Sequence, residues 1–264
     1  MAISLANLRT VKADKPARIV IYGPPKMGKT TLASEFPDAV FIQTEDGASG
    51  DLALNSFGLI ADFEGVMEAL GSLYAETHTF KTVVIDSLSE LERLVFAEIC
   101  RRNKWSSIES PGWGVGYREA DYIWQEVIDG LNALRRDRGM MAVLVAHATI
   151  DRFDDPASQS YSRYDIDLHS RARAMVEREV DAILLVKQEV SLVKEDQGFK
   201  KERAVGQGGD ARWIYCQGRP AYIAGNRFNM PDKVLFQRGA GYAQIAPFFP
   251  QPPQAAAQPA QAAA

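Results

Sequence analysis

Cysteine is scarce in this 264-residue chain: Cys100 and Cys216 are the only two, and they form no C-x-x-C pair. That excludes a disulfide-stapled scaffold and makes a reducing cytoplasm the expected location. Three histidines, His78, His147 and His169, are scattered without zinc spacing. No apolar run approaches the roughly 18 residues that span a bilayer, so no membrane contact is expected. The start, Met1-Ala2-Ile3-Ser4-Leu5, lacks the basic region and long apolar core of a secretory signal. A strong positive balance is missing too: 30 Lys and Arg against 34 Asp and Glu leave a net charge of −4. The charge is nevertheless segregated. Residues 1–30 hold Arg9, Lys12, Lys15, Arg18, Lys26 and Lys29 against Asp14 alone, and residues 211–241 hold Arg212, Arg219, Arg227, Lys233 and Arg238 against Asp232 alone. Such clustering suits either a basic face or two solvated surfaces.

What the chain does have is a complete G-x-x-x-x-G-K-[ST] loop, Gly23-Pro24-Pro25-Lys26-Met27-Gly28-Lys29-Thr30, followed by Thr31. An apolar strand, Arg18-Ile19-Val20-Ile21-Tyr22, precedes it, and a helix-compatible stretch from Thr31 to Phe36 follows, ended by Pro37. Strand, glycine loop and helix together make this a nucleotide site. The glycines let the backbone N–H groups of the Gly23–Thr31 segment, other than at Pro24 and Pro25, curl around phosphate oxygens at a helix N-terminus. Lys29 would reach the β- and γ-phosphates of ATP, and the Thr30 hydroxyl would ligate Mg²⁺.

Along the chain, apolar strands alternate with amphipathic helices. Residues 39–43, 82–86, 141–146 and 182–186 read as buried strands, and residues 62–76, 88–99, 119–137 and about 169–179 as helices. Ser87 and Glu90 match a capping box. The expected fold is α/β, a mostly parallel sheet with helices on both faces, and shorter antiparallel strands at a C-terminal edge beyond residue 187. From Pro247 the chain is rich in Pro, Gln and Ala, which predicts a disordered tail over 247–264. Residues 1–16 read as an N-terminal extension and 17–246 as the folded domain.

Asp86 closes its strand about sixty residues after the loop, the place for a second Mg²⁺ anchor, because ligands in open α/β sheets sit at the carboxyl ends of strands. Hydrolysis also needs a group to orient or deprotonate water. Ser87 follows Asp86, so no glutamate stands there; Glu45 at the end of the second strand is the candidate base, with Asp46 its rival. His147 ends the next strand, where it could sense the γ-phosphate or serve structure alone.

The loop, the Thr44-Glu45-Asp46 strand end, the Val83-Val84-Ile85-Asp86-Ser87 strand and the Val145-Ala146-His147 strand together resemble a RecA-like P-loop NTPase core. The resemblance covers about residues 17–240 and is greatest to compact phage-type AAA-family ATPases related to RecA, including phage single-strand annealing recombinases. It implies Glu45 as catalytic glutamate, His147 in place of a γ-phosphate-sensing glutamine, and Arg227, within Gly225-Asn226-Arg227-Phe228, as a finger inserted into a neighbouring subunit. It further implies ATP and Mg²⁺ as cofactors, self-assembly into a ring or filament, single-stranded DNA as partner, and the cytoplasm of a bacterial host if the chain is phage-encoded. A single-strand-binding protein is a further candidate partner, for the tail. Two segments could meet DNA: Asp151–Arg173, in which five aspartates outnumber four arginines, and Arg101–Arg118, with Trp105 and Trp113. A P-loop small-molecule kinase and a nucleotide-gated loader without direct DNA action remain open beside the recombination ATPase.

Overall fold

β-Branched and aliphatic runs build the parallel centre of one sheet. β1 (Arg18–Gly23) lies between β5 (Met141–Phe153) and β7 (Ala182–Asp196), and β4 (Thr82–Asp86), β2 (Ala39–Gln43) and β3 (Asn55–Leu59) continue beyond β5. All these neighbours are parallel, in registers such as Val20↔Leu144 and Val84↔Val143. At the other edge β8 (Glu202–Tyr215) folds back on β7, and β10 (Lys233–Phe236) on β8, both antiparallel. Two short partners, β6 (Tyr161–Ile166) on β5 and β9 (Gly225–Asn226) on β7, are also antiparallel. The computed structural model describes residues 15–47, 50–155, 159–196 and 202–250, with Ser4 and Leu8; for 190–196, 202–208 and 210 it describes the backbone alone.

Strand side chains alternate between faces, and each face has its own helices. α1 (Lys29–Ser34) and α6 (Gly241–Ile245) cover Ile19, Ile21, Phe41, Val143 and Leu184. On the other face α2 (Phe63–Ala75), α3 (Leu88–Asn103), α4 (Val115–Asp137) and α5 (Ser170–Glu179) pack Leu70, Leu91, Trp124 and Val176 over Val20, Ile42, Ile85 and Leu144. The expected α/β class, mostly parallel sheet, two-sided helical cover and antiparallel C-terminal edge are all present. Ser87 caps α3 by accepting the Glu90 N–H, and Asp62 caps α2 by accepting that of Gly65. No helix among the described residues is long and apolar enough to cross a membrane.

Three features were not read from the sequence. β3 was not foreseen, because its five residues are all exposed and show no alternation. The segment after His147 is a hairpin: β5 runs on to Phe153 and β6 returns beside it, pairing Ala148 with Ile166 and Phe153 with Tyr161. The tail starts later than Pro247, because Ala246–Phe248 form a 3-10 turn and Phe249 is buried against Phe36 and Phe228. A phenylalanine pair offers the core more than the following Pro/Gln/Ala sequence can. Residues 251–264, and most of the N-terminal extension, lie outside the described residues.

At the amino end of β7 the buried Asp181 binds three arginines, Arg18, Arg135 and Arg227, at 3.3, 3.2 and 3.0 Å, and accepts the Arg18 backbone N–H at 3.0 Å. Removing Asp181 leaves the mostly buried Arg135 without a carboxylate, and takes one of two carboxylates from Arg18, which keeps Glu179. Asp181→Ala is therefore expected to lower stability by about 3–5 kcal/mol. A denaturation midpoint within error of wild type would show that the cluster contributes nothing.

Candidate nucleotide site

Register alone brings the candidate residues to one sheet edge. His147 lies beside Gly23, and Asp86 lies beside both Gln43 and Val145. The loop from Gly23 to Thr30 rises from the centre of this edge. Two glycines are required there by geometry: a Cβ on Gly23 would stand 2.2 Å from the Val186 carbonyl oxygen, and Gly28 has φ +92 with the Phe236 ring 2.8 Å from its missing Cβ. A cleft of about 480 Å³ opens above, lined by Pro25, Lys26, Gly28, Lys29, Thr30 and Thr31, and by Glu45, Asp86, His147, Arg212, Phe236 and Arg238. Four cations against two carboxylates suit a polyanion. Pro24 serves through its carbonyl, and Met27 turns its side chain to the core beneath α1.

Lys29 is buried, and its Nζ donates to the Gly23 and Pro24 carbonyls at 3.0 Å each. Burial lowers its pKa, opposed by Asp86 and then Glu45. Thr30 Oγ1 donates to Asp86 Oδ2 at 2.7 Å, joining the two candidate metal ligands. Asp86 is 3% exposed, and its Oδ1 has no hydrogen-bond partner among the described residues. Burial raises its pKa, with the Thr30 bond acting against it. A buried carboxylate oxygen with no donor beside it is what a hard divalent cation requires, so Thr30 and Asp86 fit Mg²⁺.

Glu45 is positioned by the residue before it. The Thr44 N–H donates to the Asp86 carbonyl at 2.8 Å, Thr44 Oγ1 donates to the Ser87 carbonyl at 2.8 Å, and the Ser87 N–H returns a bond to Thr44 Oγ1 at 2.9 Å. This clamps the end of β2 to the end of β4, with Glu45 turned into the cleft. His147 Nε2 lies 3.0 and 3.2 Å from the two Glu45 oxygens. The His147 bond is the largest influence lowering the Glu45 pKa, and the Glu45 bond the largest raising that of His147. Asp46 is exposed and does not line the cleft.

Arg227 is not brought to this cleft. It follows β9 at the opposite, amino-terminal end of the parallel strands, bound to Asp181. Arg212 and Arg238, from the antiparallel edge, stand in the cleft instead. They belong to the basic segment 211–241, whose clustering was the available signal. Thr44 gave no signal in sequence, because its role depends on the β2–β4 register. The arginines of both DNA candidates are ion-paired: Arg152 with Asp154, Arg163 with Asp165, Arg171 with Asp121, Arg173 with Asp151, Arg101 with Glu98 and Glu64, and Arg102 with Glu98 and Glu126. Arg118 alone bonds a carbonyl, that of Trp113, whose side chain is almost fully exposed.

A protein family described as AAA domain matches residues 15–228. No curated protein matches the chain. Among solved structures, that of the RadB recombinase is similar with a TM-score of 0.48 and 15% identity, over 85% of this chain and 88% of that one.

The Glu45–His147 pair carries a pH signature. Glu45, lowered from 4.5, contributes stability above that value and loses it as pH falls through its folded pKa. His147, raised from 6.5, contributes below that value and loses it as pH rises through its folded pKa. The stability lost in Glu45→Gln should therefore be greatest between pH 4.5 and 6.5 and shrink on either side. Denaturation midpoints across pH check this; a pH-independent difference would remove the ion pair.

Proposed function

The chain belongs to the AAA-domain family, and on that premise we propose that it is a Mg²⁺-dependent ATPase of RecA-like type that assembles on single-stranded DNA in recombination, annealing or repair. The observation that carries the hydrolytic part is the convergence of Lys29, Thr30, Asp86, Glu45 and His147 on one cleft. Lys29 would leave the Gly23 and Pro24 carbonyls for phosphate oxygens, and Thr30 and Asp86 would hold Mg²⁺. The cation, when bound, neutralises charge on the transferring phosphoryl group.

Glu45 orients the attacking water and accepts its proton. The His147 bond keeps Glu45 a weak base; a γ-phosphoryl oxygen competing for the same imidazole N–H would restore its basicity once substrate is in place. Arg227 can act on a nucleotide only in a second copy's cleft, which ties any finger role to self-assembly.

For DNA, the hairpin of β5 and β6 begins directly after His147 and ends in Phe153 and Tyr161, rings 5.5 Å apart. Aromatic pairs of this kind offer stacking surfaces to unpaired bases. The phage-type relationship rests on the motif order, and a single-strand-binding protein as tail partner on composition. The ion-paired arginines on both candidate segments favour a second reading, a nucleotide-gated module whose partner is a protein.

Two experiments test this. Steady-state phosphate release is expected to be strongly stimulated by single-stranded DNA over duplex or none; turnover indifferent to DNA would favour the second reading, and phosphate appearing only on an acceptor would mark a kinase. Lys29→Ala should lower turnover by on the order of a hundredfold or more, and Glu45→Gln should do so while keeping ATP affinity. If Asp46→Asn stops hydrolysis and Glu45→Gln does not, the base is Asp46.

A further inference from the structure

Among the described side chains, every arginine is ion-paired to a carboxylate except Arg118, Arg138, Arg212 and Arg238. Arg118 and Arg138 bond backbone carbonyls of Trp113 and Glu76 on the exposed surface. The other two line the nucleotide cleft. Arg212 has one long contact, Nη1 to the Met27 carbonyl at 3.4 Å, and the Arg238 side chain has no hydrogen bond or ion pair among the described residues. In a fold that pairs almost every other guanidinium with an acid, two unpaired ones beside a phosphate loop suit an anionic ligand.

Strand order says which part of that ligand they meet. On one side of β1 stand β5, β4 and β2, which bring His147 within β5, Asp86 at the end of β4 and Glu45 two residues past β2; on the other stand β7, β8 and β10, which bring Arg212 and Arg238. The metal ligands and the base therefore occupy one end of the cleft and the arginines the other. The transferred phosphoryl group belongs with the metal and the base, which leaves the rest of the nucleotide to the arginines.

Their heights differ. Arg212 lies against the loop itself, 3.3 Å from where a Gly28 Cβ would stand. Arg238 is set further along α1, because the N–H groups of Gly239 and Tyr242 donate to the Glu35 carboxylate, at 2.6 and 2.9 Å, at the carboxyl end of that helix. The buried Phe236, packed beneath Gly28, fixes the strand from which Arg238 extends.

We propose that Arg212 and Arg238 form a clamp, within a single subunit, on the end of the nucleotide that is not transferred: Arg212 holds the α- and β-phosphates and Arg238 the nucleoside. The clamp rests on the ATP-hydrolysis reading above and deepens it. Contacts to the unreacting end are equal in ground and transition states, so they set KM and product affinity and leave kcat alone. Glu45 has the opposite signature. ADP retains every group the clamp holds, so the clamp also makes ADP a strong competitor of ATP.

The test uses the full chain and two probes, ADP and inorganic tripolyphosphate, titrated into wild type, Arg212→Ala, Arg212→Lys, Arg238→Ala and the surface control Arg138→Ala. Arg212→Ala should weaken both probes about tenfold or more, and Arg212→Lys should recover part of the loss. Arg238→Ala should weaken ADP by about tenfold and leave tripolyphosphate unchanged. In ATP turnover both alanine variants should raise KM with kcat within about twofold of wild type. ADP affinity unchanged in both, or a fall in kcat at constant KM, overturns the clamp. Wild type that binds neither probe overturns the clamp and the hydrolysis reading together. Wild type that binds both but releases no phosphate from ATP overturns hydrolysis alone, and the affinities still decide the clamp.

Discussion

The hydrogen bond from Thr30 to Asp86 joins residues 56 positions apart, and the site hangs on it. It ties the first turn of α1 to the end of β4, so the loop cannot shift relative to the strand that carries the second metal ligand. Thr44 then ties β2 to the same strand end, and His147 ties β5 to Glu45. A parallel sheet makes this possible, because all its strands deliver their carboxyl ends to one edge.

That dependence explains what could be read from the sequence. Lys29 and Thr30 stand in or next to the loop, and Asp86, Glu45 and His147 where an apolar run gives way to polar residues, a change visible in one dimension. The helices over 62–76 and 119–137 were legible because their apolar spacing has period 3.6. β3 was not, since an edge strand with no buried face leaves no alternation to detect. Arg212 and Arg238 were visible only as part of a basic segment. Their approach to the loop depends on an antiparallel excursion through β7, β8 and β10 that spacing does not encode. Arg227 shows the converse: a residue singled out by its motif is held by Asp181 at the far end of the strands.

Charge is distributed by pairing and not by net balance. The excess of aspartates over arginines between residues 151 and 173 looked like an argument against a role in binding; in the fold those aspartates are largely the partners that hold the arginines in place. Arg163 additionally stacks on Phe153, 4.1 Å from the ring centre, which stiffens the hairpin near its tip. The cleft gathers Lys26, Lys29, Arg212 and Arg238 against Glu45 and Asp86. The chain is acidic overall and its cleft is not.

The strand that bears His147 does not stop there. From His147 to Phe153 it runs on as one continuous β-strand braced by β6, a reach of about 20 Å at the usual rise per residue. The strand that sets the imidazole in the cleft therefore also sets where the hairpin stands at the surface, and the parallel neighbours that hold its first seven residues hold both.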